Sequence, residues 1–185
     1  MKTIISAMMI ISFIGSQAVI ITADPVKEYV YQNSTMSAEH NDRYVDVIYK
    51  YSGEYGLDPL LIARQVWYES RFKWYAYNVI GAYGPMQIRP KFWSHILYHV
   101  DDGKLGMYLL KKESPKYHRY FMRIGYGVEA GCMIMAHLKK LNDYDYRLAL
   151  IEYWAGRQSD YYKRAQRSKT YAKTIPYVKY INEVK

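Results

Sequence analysis

Apolar positions recur at helical spacing along most of the chain. Tyr44, Val45, Ile48, Tyr51 and Tyr55 fall on one face, and Gly56 stands where a left-handed cap closes a helix. Asp58 followed by Pro59 gives an N-cap with proline at the first helical position. Leu60, Leu61, Ala63, Val66 and Trp67 extend that helix to Glu69 or Ser70. The pattern breaks over 77–88, where Asn78, Gly81, Gly84 and Pro85 are turn residues between short β-like pieces. Pro90 opens a helix with Phe92, Trp93, Ile96 and Leu97, whereas 100–115 fits neither period. A long helix is predicted over 119–141, with Phe121, Met122, Val128, Cys132, Met135, Ala136 and Leu138 toward the core. A short one over 147–155 is stopped by Gly156. Ser159 caps the next, and Pro176 begins the last with Tyr177, Val178 and Ile181 as its apolar positions. The pattern predicts a mainly α fold with one small irregular β element.

The first residues follow a different rule. Met1-Lys2-Thr3 is a short positive start, and an apolar run follows from Ile4. Ser16 and Ala18 place small residues at the minus-three and minus-one positions of a cleavage site, so 1–23 reads as a secretory signal peptide. The alternative is an uncleaved N-terminal anchor, since 4–23 is long enough to span a bilayer although polar residues dilute it. Both readings place the domain outside the cytoplasm: in the periplasm, at the cell envelope or secreted. Residues 24–43 are polar and poor in large aliphatics, which predicts a flexible spacer, and 44–185 is the expected folded unit.

Lys and Arg exceed Asp and Glu by 26 to 17, giving a net charge of +9. Such a chain is drawn to polyanions: nucleic acid, anionic lipid or an anionic cell wall. Export argues against nucleic acid as the partner. The single cysteine, Cys132, excludes an internal disulfide framework and a cysteine-cluster metal site, and reads as a small buried apolar residue. His95 and His99 stand four apart without a third ligand, so no metal and no cofactor are expected.

The chemistry concentrates at Glu69. Its carboxyl falls at the C-terminal end of a helix, against the negative end of the helix dipole and beside Val66 and Trp67. Both the dipole and desolvation raise its pKa. A carboxylic acid still protonated near neutral pH can donate to a leaving oxygen, as glycosidic cleavage requires. By frequency alone, a glutamate at a helix end is a solvated charge.

The residues that follow change that balance. Glu69-Ser70-Arg71-Phe72, Ala76, Gly81-Ala82-Tyr83-Gly84-Pro85-Met86-Gln87 and Pro90 resemble the lytic transglycosylase domain of the soluble, family-one type, within the lysozyme superfamily. A second block, Ala149-Leu150-Ile151-Glu152-Tyr153-Trp154-Ala155-Gly156, is similar to that family's Ala-Leu-x-x-Tyr-Asn-Ala-Gly, and Thr174 with Tyr177-Val178 to its closing motif. The chain departs from the pattern at Pro85, where the family has leucine, and at Asn78, where serine is usual. Trp154 and Gly127 stand in place of asparagines, and Lys173 in place of a glutamate.

The resemblance implies a lysozyme-like helical domain whose small β element lies beside the active-site cleft. It also implies that Glu69 acts alone on peptidoglycan. The glutamate protonates the oxygen between N-acetylmuramic acid and N-acetylglucosamine, then takes a proton from the C6 hydroxyl of the same muramic residue, leaving a 1,6-anhydro end. No second acidic residue lies between Glu69 and Gln87, in keeping with one-carboxylate chemistry. Expected substrate contacts are Ser70, Gly84, Met86, Gln87, Tyr153 and, less strongly, Tyr177. Of these, Tyr153 is expected to bring its hydroxyl to Glu69. Glu152 reads instead as a solvated or structural charge. Domains of this type serve secretion, conjugation or pilus machines, or phage entry and release, and the residues select none of these. Two other readings stay open: a goose-type lysozyme that uses water, and a non-catalytic basic wall-binding protein.

Overall fold

The side chain of Asp24 accepts hydrogen bonds from the N–H groups of Val26 and Lys27, and Pro25 follows it. Helix α1 (Pro25–Asn33) therefore begins at once. Ser37 accepts from the His40 N–H and starts α2 (Ala38–Glu54). The expected flexible spacer over 24–43 is thus replaced by a helix and the first turns of another. Val26, Tyr29 and Val30 are spaced three and four apart and all are buried, while the remaining positions of α1 are mostly polar and face outward. The apolar period was present; a low apolar average concealed it. Residues 24–43, ahead of Tyr44, therefore belong to the folded unit.

A computed structural model describes residues 23–97 and 116–183 (backbone only at 116–118 and 182–183), together with the backbone of 13–14 and 17–18. That N-terminal backbone forms a two-residue antiparallel pair, Phe13–Ile14 with Gln17–Ala18. The rest of the proposed leader and residues 98–115 lie outside the described residues. No described helix is long and apolar enough to cross a membrane.

After Gly56, the Asp58 carboxylate accepts from the N–H groups of Leu60 and Leu61 and opens α3 (Pro59–Ser70). A loop leads to α4 (Pro90–Leu97), then come α5 (Lys116–Phe121), α6 (Ile124–Leu141), α7 (Tyr146–Ala155), α8 (Asp160–Arg167), α9 (Lys169–Thr174) and α10 (Pro176–Glu183). The molecule is mainly helical, with ten helices among the described residues. The loop between α3 and α4 holds two isolated antiparallel bridges, Tyr77 with Tyr83 and Tyr83 with Ile88, in place of strands. The single long helix expected over 119–141 is broken at Arg123, whose extended backbone lets α6 start afresh. The break leaves the Phe121 carbonyl directed at the backbones of Gly84 and Gly127, where added side chains would collide with it.

Helix α6 lies between α2, α4, α5 and α7 and buries Val128, Cys132 and Met135 completely. Helix α3 packs on α1, α2 and α10, and α7 on α8, α9 and α10. Glu152 is buried and joins these layers. It accepts from Arg157 Nε at 2.8 Å, Arg157 Nη2 at 2.9 Å and Asn142 Nδ2 at 2.8 Å, while Tyr162 donates to Asn142 Oδ1. With a cation and an amide satisfying its oxygens, Glu152 holds the end of α6 to α7 and α8 and has a structural role.

Because α1 contributes to the core, Val30→Ala should lower the unfolding free energy by about 2 kcal/mol, measured by urea denaturation. A loss below about 0.5 kcal/mol would mean that α1 is a detachable arm.

Candidate active site

Glu69 is the penultimate residue of α3, so its carboxyl sits beside the last, unpaired carbonyls of that helix. The chain then turns sharply. Arg71 and Phe72 both take left-handed backbone conformations, with φ of 56° and 60°. Two features hold this turn. Phe72 is fully buried edge-on against Tyr44 and Tyr29. Arg71 Nη1 donates to the Trp67 carbonyl at 2.7 Å and the Tyr68 carbonyl at 3.1 Å, while its guanidinium lies 3.5 Å from the centre of the Trp67 ring. The arginine thus caps the helix end that the acid occupies.

Tyr177, in the first turn of α10, donates its hydroxyl hydrogen to Glu69 Oε1 at 2.7 Å. As a residue Glu69 is half-buried, but protein surrounds its carboxyl on most sides. Desolvation pushes the Glu69 pKa up to about 7, against the downward pull of the Tyr177 hydrogen bond. Tyr153 and Tyr177 are held well above the ordinary phenol range, first by burial and then by the Glu69 charge. The carboxyl therefore exchanges its proton near neutrality, between two phenols that stay neutral.

The other expected contacts serve the scaffold. Ser70 is buried and its Oγ donates to the Val66 carbonyl of its own helix at 3.0 Å. Gly84, at φ 75°, lies against the Phe121 carbonyl, 1.8 Å from where a Cβ would be; its small size admits the backbone of α5 rather than a ligand. Met86 is fully buried against Gly131 and belongs to the core instead of lining a cleft. Gln87 ties the loop together. Its Nε2 donates to the carbonyls of Ala76 and Gly84, and its Oε1 accepts from Asn78 Nδ2. Asn78 Oδ1 accepts from the N–H groups of Ile80 and Ala82, so this asparagine staples the loop. The Tyr153 hydroxyl donates to the Met86 carbonyl at 2.6 Å and not to Glu69. Tyr177, the weaker expectation, makes the direct contact because α10 returns across the end of α3.

An aromatic surface lies beside the acid. The Trp154 ring is nearly parallel to Tyr177, 6.0 Å away, and it meets Tyr161 at 5.2 Å. Trp154 is 41% exposed and Tyr161 47%. On the far side, Tyr68 packs edge-on against Tyr177, and Trp67 stacks on Tyr180. Two concavities indent the described surface elsewhere. One of about 370 Å³ is bordered by His40, Arg43, Trp74 and Arg123, the other of about 600 Å³ by Ile80, Arg89, Lys91 and Phe92. Glu69 lines neither. No cluster of three metal-ligating side chains occurs among the described residues, and His99 lies outside them. Gln65 is completely buried one turn before Glu69, a burial that its polar side chain did not announce in the sequence.

No protein-family model matches the chain, and neither the curated proteins nor the solved structures yield a match.

Two measurements check this geometry. Tyr177→Phe removes the donor to the carboxylate, so the Glu69 pKa should rise above its starting value, read by carbon NMR of the labelled carboxyl. The folded chain holds the Glu69 proton up to about pH 7, whereas an ordinary carboxyl releases it near 4.5. Between those values folding takes up a proton, so the contribution of Glu69 to stability falls as pH rises. Glu69→Gln should therefore melt above the unsubstituted chain at pH 8, with the gap closing toward pH 4.5. A constant gap would show that burial does not set the titration.

Proposed function

We propose that the chain is a peptidoglycan lytic transglycosylase with a lysozyme-like helical domain, exported to the cell envelope, and that Glu69 is its catalytic acid and base. One observation carries this reading: a half-buried glutamate at a helix C-terminus whose carboxyl is brought by burial to a proton affinity near neutrality, with one oxygen engaged by Tyr177. The spaced motif from Glu69 to Pro90 supports it from the sequence, and the exposed Trp154 ring offers a flat apolar surface to a sugar face.

Tyr177 occupies Oε1, which leaves Oε2 to carry the proton. Protonated Glu69 donates that hydrogen to the glycosidic oxygen as its bond to C1 of the muramic residue breaks. The resulting carboxylate takes the hydrogen of the C6 hydroxyl while O6 bonds to C1. The acid is regenerated, water is not consumed, and a 1,6-anhydro end remains. A pKa near 7 suits both halves of the cycle, since each protonation state is well populated at neutral pH.

The test is product analysis by mass spectrometry on purified cell walls. The expected result is anhydromuramic ends, with Glu69→Gln slowing their release by at least about 100-fold while wall binding persists. The rate should also fall roughly tenfold per pH unit above pH 8, as the acid form is depleted. Reducing muramic ends would assign the site to hydrolysis. Binding without cleavage by the unsubstituted chain would reduce it to a wall-binding module.

A further inference from the structure

Val79 and Ile80 stand at the point of a tight turn in the loop between α3 and α4. The Asn78 N–H donates to the Ala82 carbonyl at 3.1 Å, and the Gly81 N–H to the Asn78 carbonyl at 3.0 Å. Asn78 Oδ1 also accepts from the Ile80 and Ala82 N–H groups, each at 3.1 Å. A backbone bonded in this way fixes the two aliphatic side chains it carries, and both are in water: Val79 is fully exposed and Ile80 is 64% exposed. Such points favour glycine, asparagine, aspartate and serine, and β-branched aliphatics placed there contribute nothing to the core. Their hydration is a cost that an apolar partner removes.

Two further kinds of side chain succeed one another back from the point. Tyr77, 72% exposed, pairs with Tyr83, and Tyr83 pairs in turn with Ile88. Arg89 follows directly, and the first turn of α4 carries Lys91 and the exposed Phe92. The concavity of about 600 Å³ is bordered by Ile80 as well as by Arg89, Lys91 and Phe92, so the point and the start of α4 share one face. Arg89 and Lys91 are exposed, and neither has an ion-pair partner among the described residues. Residues 70–97 contain no Asp or Glu. Aliphatic, aromatic and cationic groups in that order match the environments met on leaving a bilayer: acyl chains, the interface and the phosphates. A protein partner would need a pocket shaped to the projecting turn and acids placed around it, whereas a fluid anionic bilayer supplies both without a matched shape. Glycan strands, polar throughout, offer little to Val79 and Ile80.

We propose that the segment 77–92 is a peripheral membrane-docking element, with Val79 and Ile80 entering the acyl region of an anionic phospholipid bilayer and Arg89 and Lys91 meeting its phosphates. The net charge of +9 draws the chain toward the same surface. Docking of this kind uses none of the chemistry assigned to Glu69, so cleavage of cell walls does not enter its test.

The full chain is sedimented with phosphatidylcholine vesicles that contain or lack phosphatidylglycerol. Binding is expected on the anionic vesicles and should fall steeply with salt. Val79→Ser combined with Ile80→Ser should weaken it at least about tenfold. Arg89→Gln and Lys91→Gln should each weaken it about fivefold. Melting temperatures should hold, because all four side chains are exposed. Val79→Trp gives a local reading: brominated acyl chains should quench its emission beyond any quenching of the four native tryptophans. That signal reports position 79 and so separates docking of this loop from insertion of the apolar run at the N-terminus. Unchanged vesicle binding in the serine variant, or no added quenching at position 79, overturns the proposal. Equal binding to neutral vesicles overturns the role of Arg89 and Lys91. Loss of cell-wall binding in the serine variant without loss of vesicle binding would make the loop a wall contact and overturn the proposal likewise.

Discussion

One O–H···O contact between Tyr177 and Glu69 joins residues 108 positions apart and ties the first turn of the last helix to the end of α3. The environment of the carboxyl depends on it. Burial alone drives the proton onto Glu69; the phenol opposes that and holds the balance near neutrality. Tyr177 can do so because it is buried among Tyr68, Trp154 and the carboxyl itself, with Pro176 setting the start of its helix. The proton affinity of Glu69 is therefore a property of how α3, α7 and α10 meet, not of the residues beside it in sequence.

The loop that follows α3 braces this arrangement. Its polar side chains are spent inward, Asn78 and Gln87 on each other and on the loop backbone. Its apolar residue Met86 is pressed onto Gly131 of α6, and its carbonyl receives the Tyr153 hydroxyl. Tyr153 stands in turn within the field of Glu69. Loop, α6 and α7 are thus fixed by contacts that leave little polar capacity for a ligand. The surface offered near the acid is aromatic instead, formed by Trp154 and Tyr161.

Elements with strong local signals were legible in the sequence. Asp58-Pro59, Ser159 and Pro176 mark helix starts where the structure has them, and Gly156 ends α7. The position of Glu69 at a helix terminus followed from spacing, and the direction of its pKa shift from its apolar neighbours, since burial is what raises it. Three things did not. Helix α1 was hidden because three buried residues suffice to dock nine, which a composition average cannot register. Neither Met122 nor Arg123, where the helix breaks, is a proline or glycine, and the break reflects the docking of Phe121 against Gly84 and Gly127. The exchange of roles between Tyr153 and Tyr177, and the turning inward of Met86 and Gln87, depend on where α7 and α10 cross the loop. No local pattern encodes those crossings.

The left-handed turn at Arg71 has an evolutionary corollary. A glycine there would relieve the backbone, since φ of 56° is unfavourable for any side chain with a Cβ. It would also strip the guanidinium from the carbonyls of Trp67 and Tyr68 and from the indole face, restoring a bare negative helix end next to the acid. Lysine would keep the charge but lose the planar group that caps and stacks at once. Drift at this position is therefore penalised in every direction, and residue 71 should stay arginine among descendants that keep the acid.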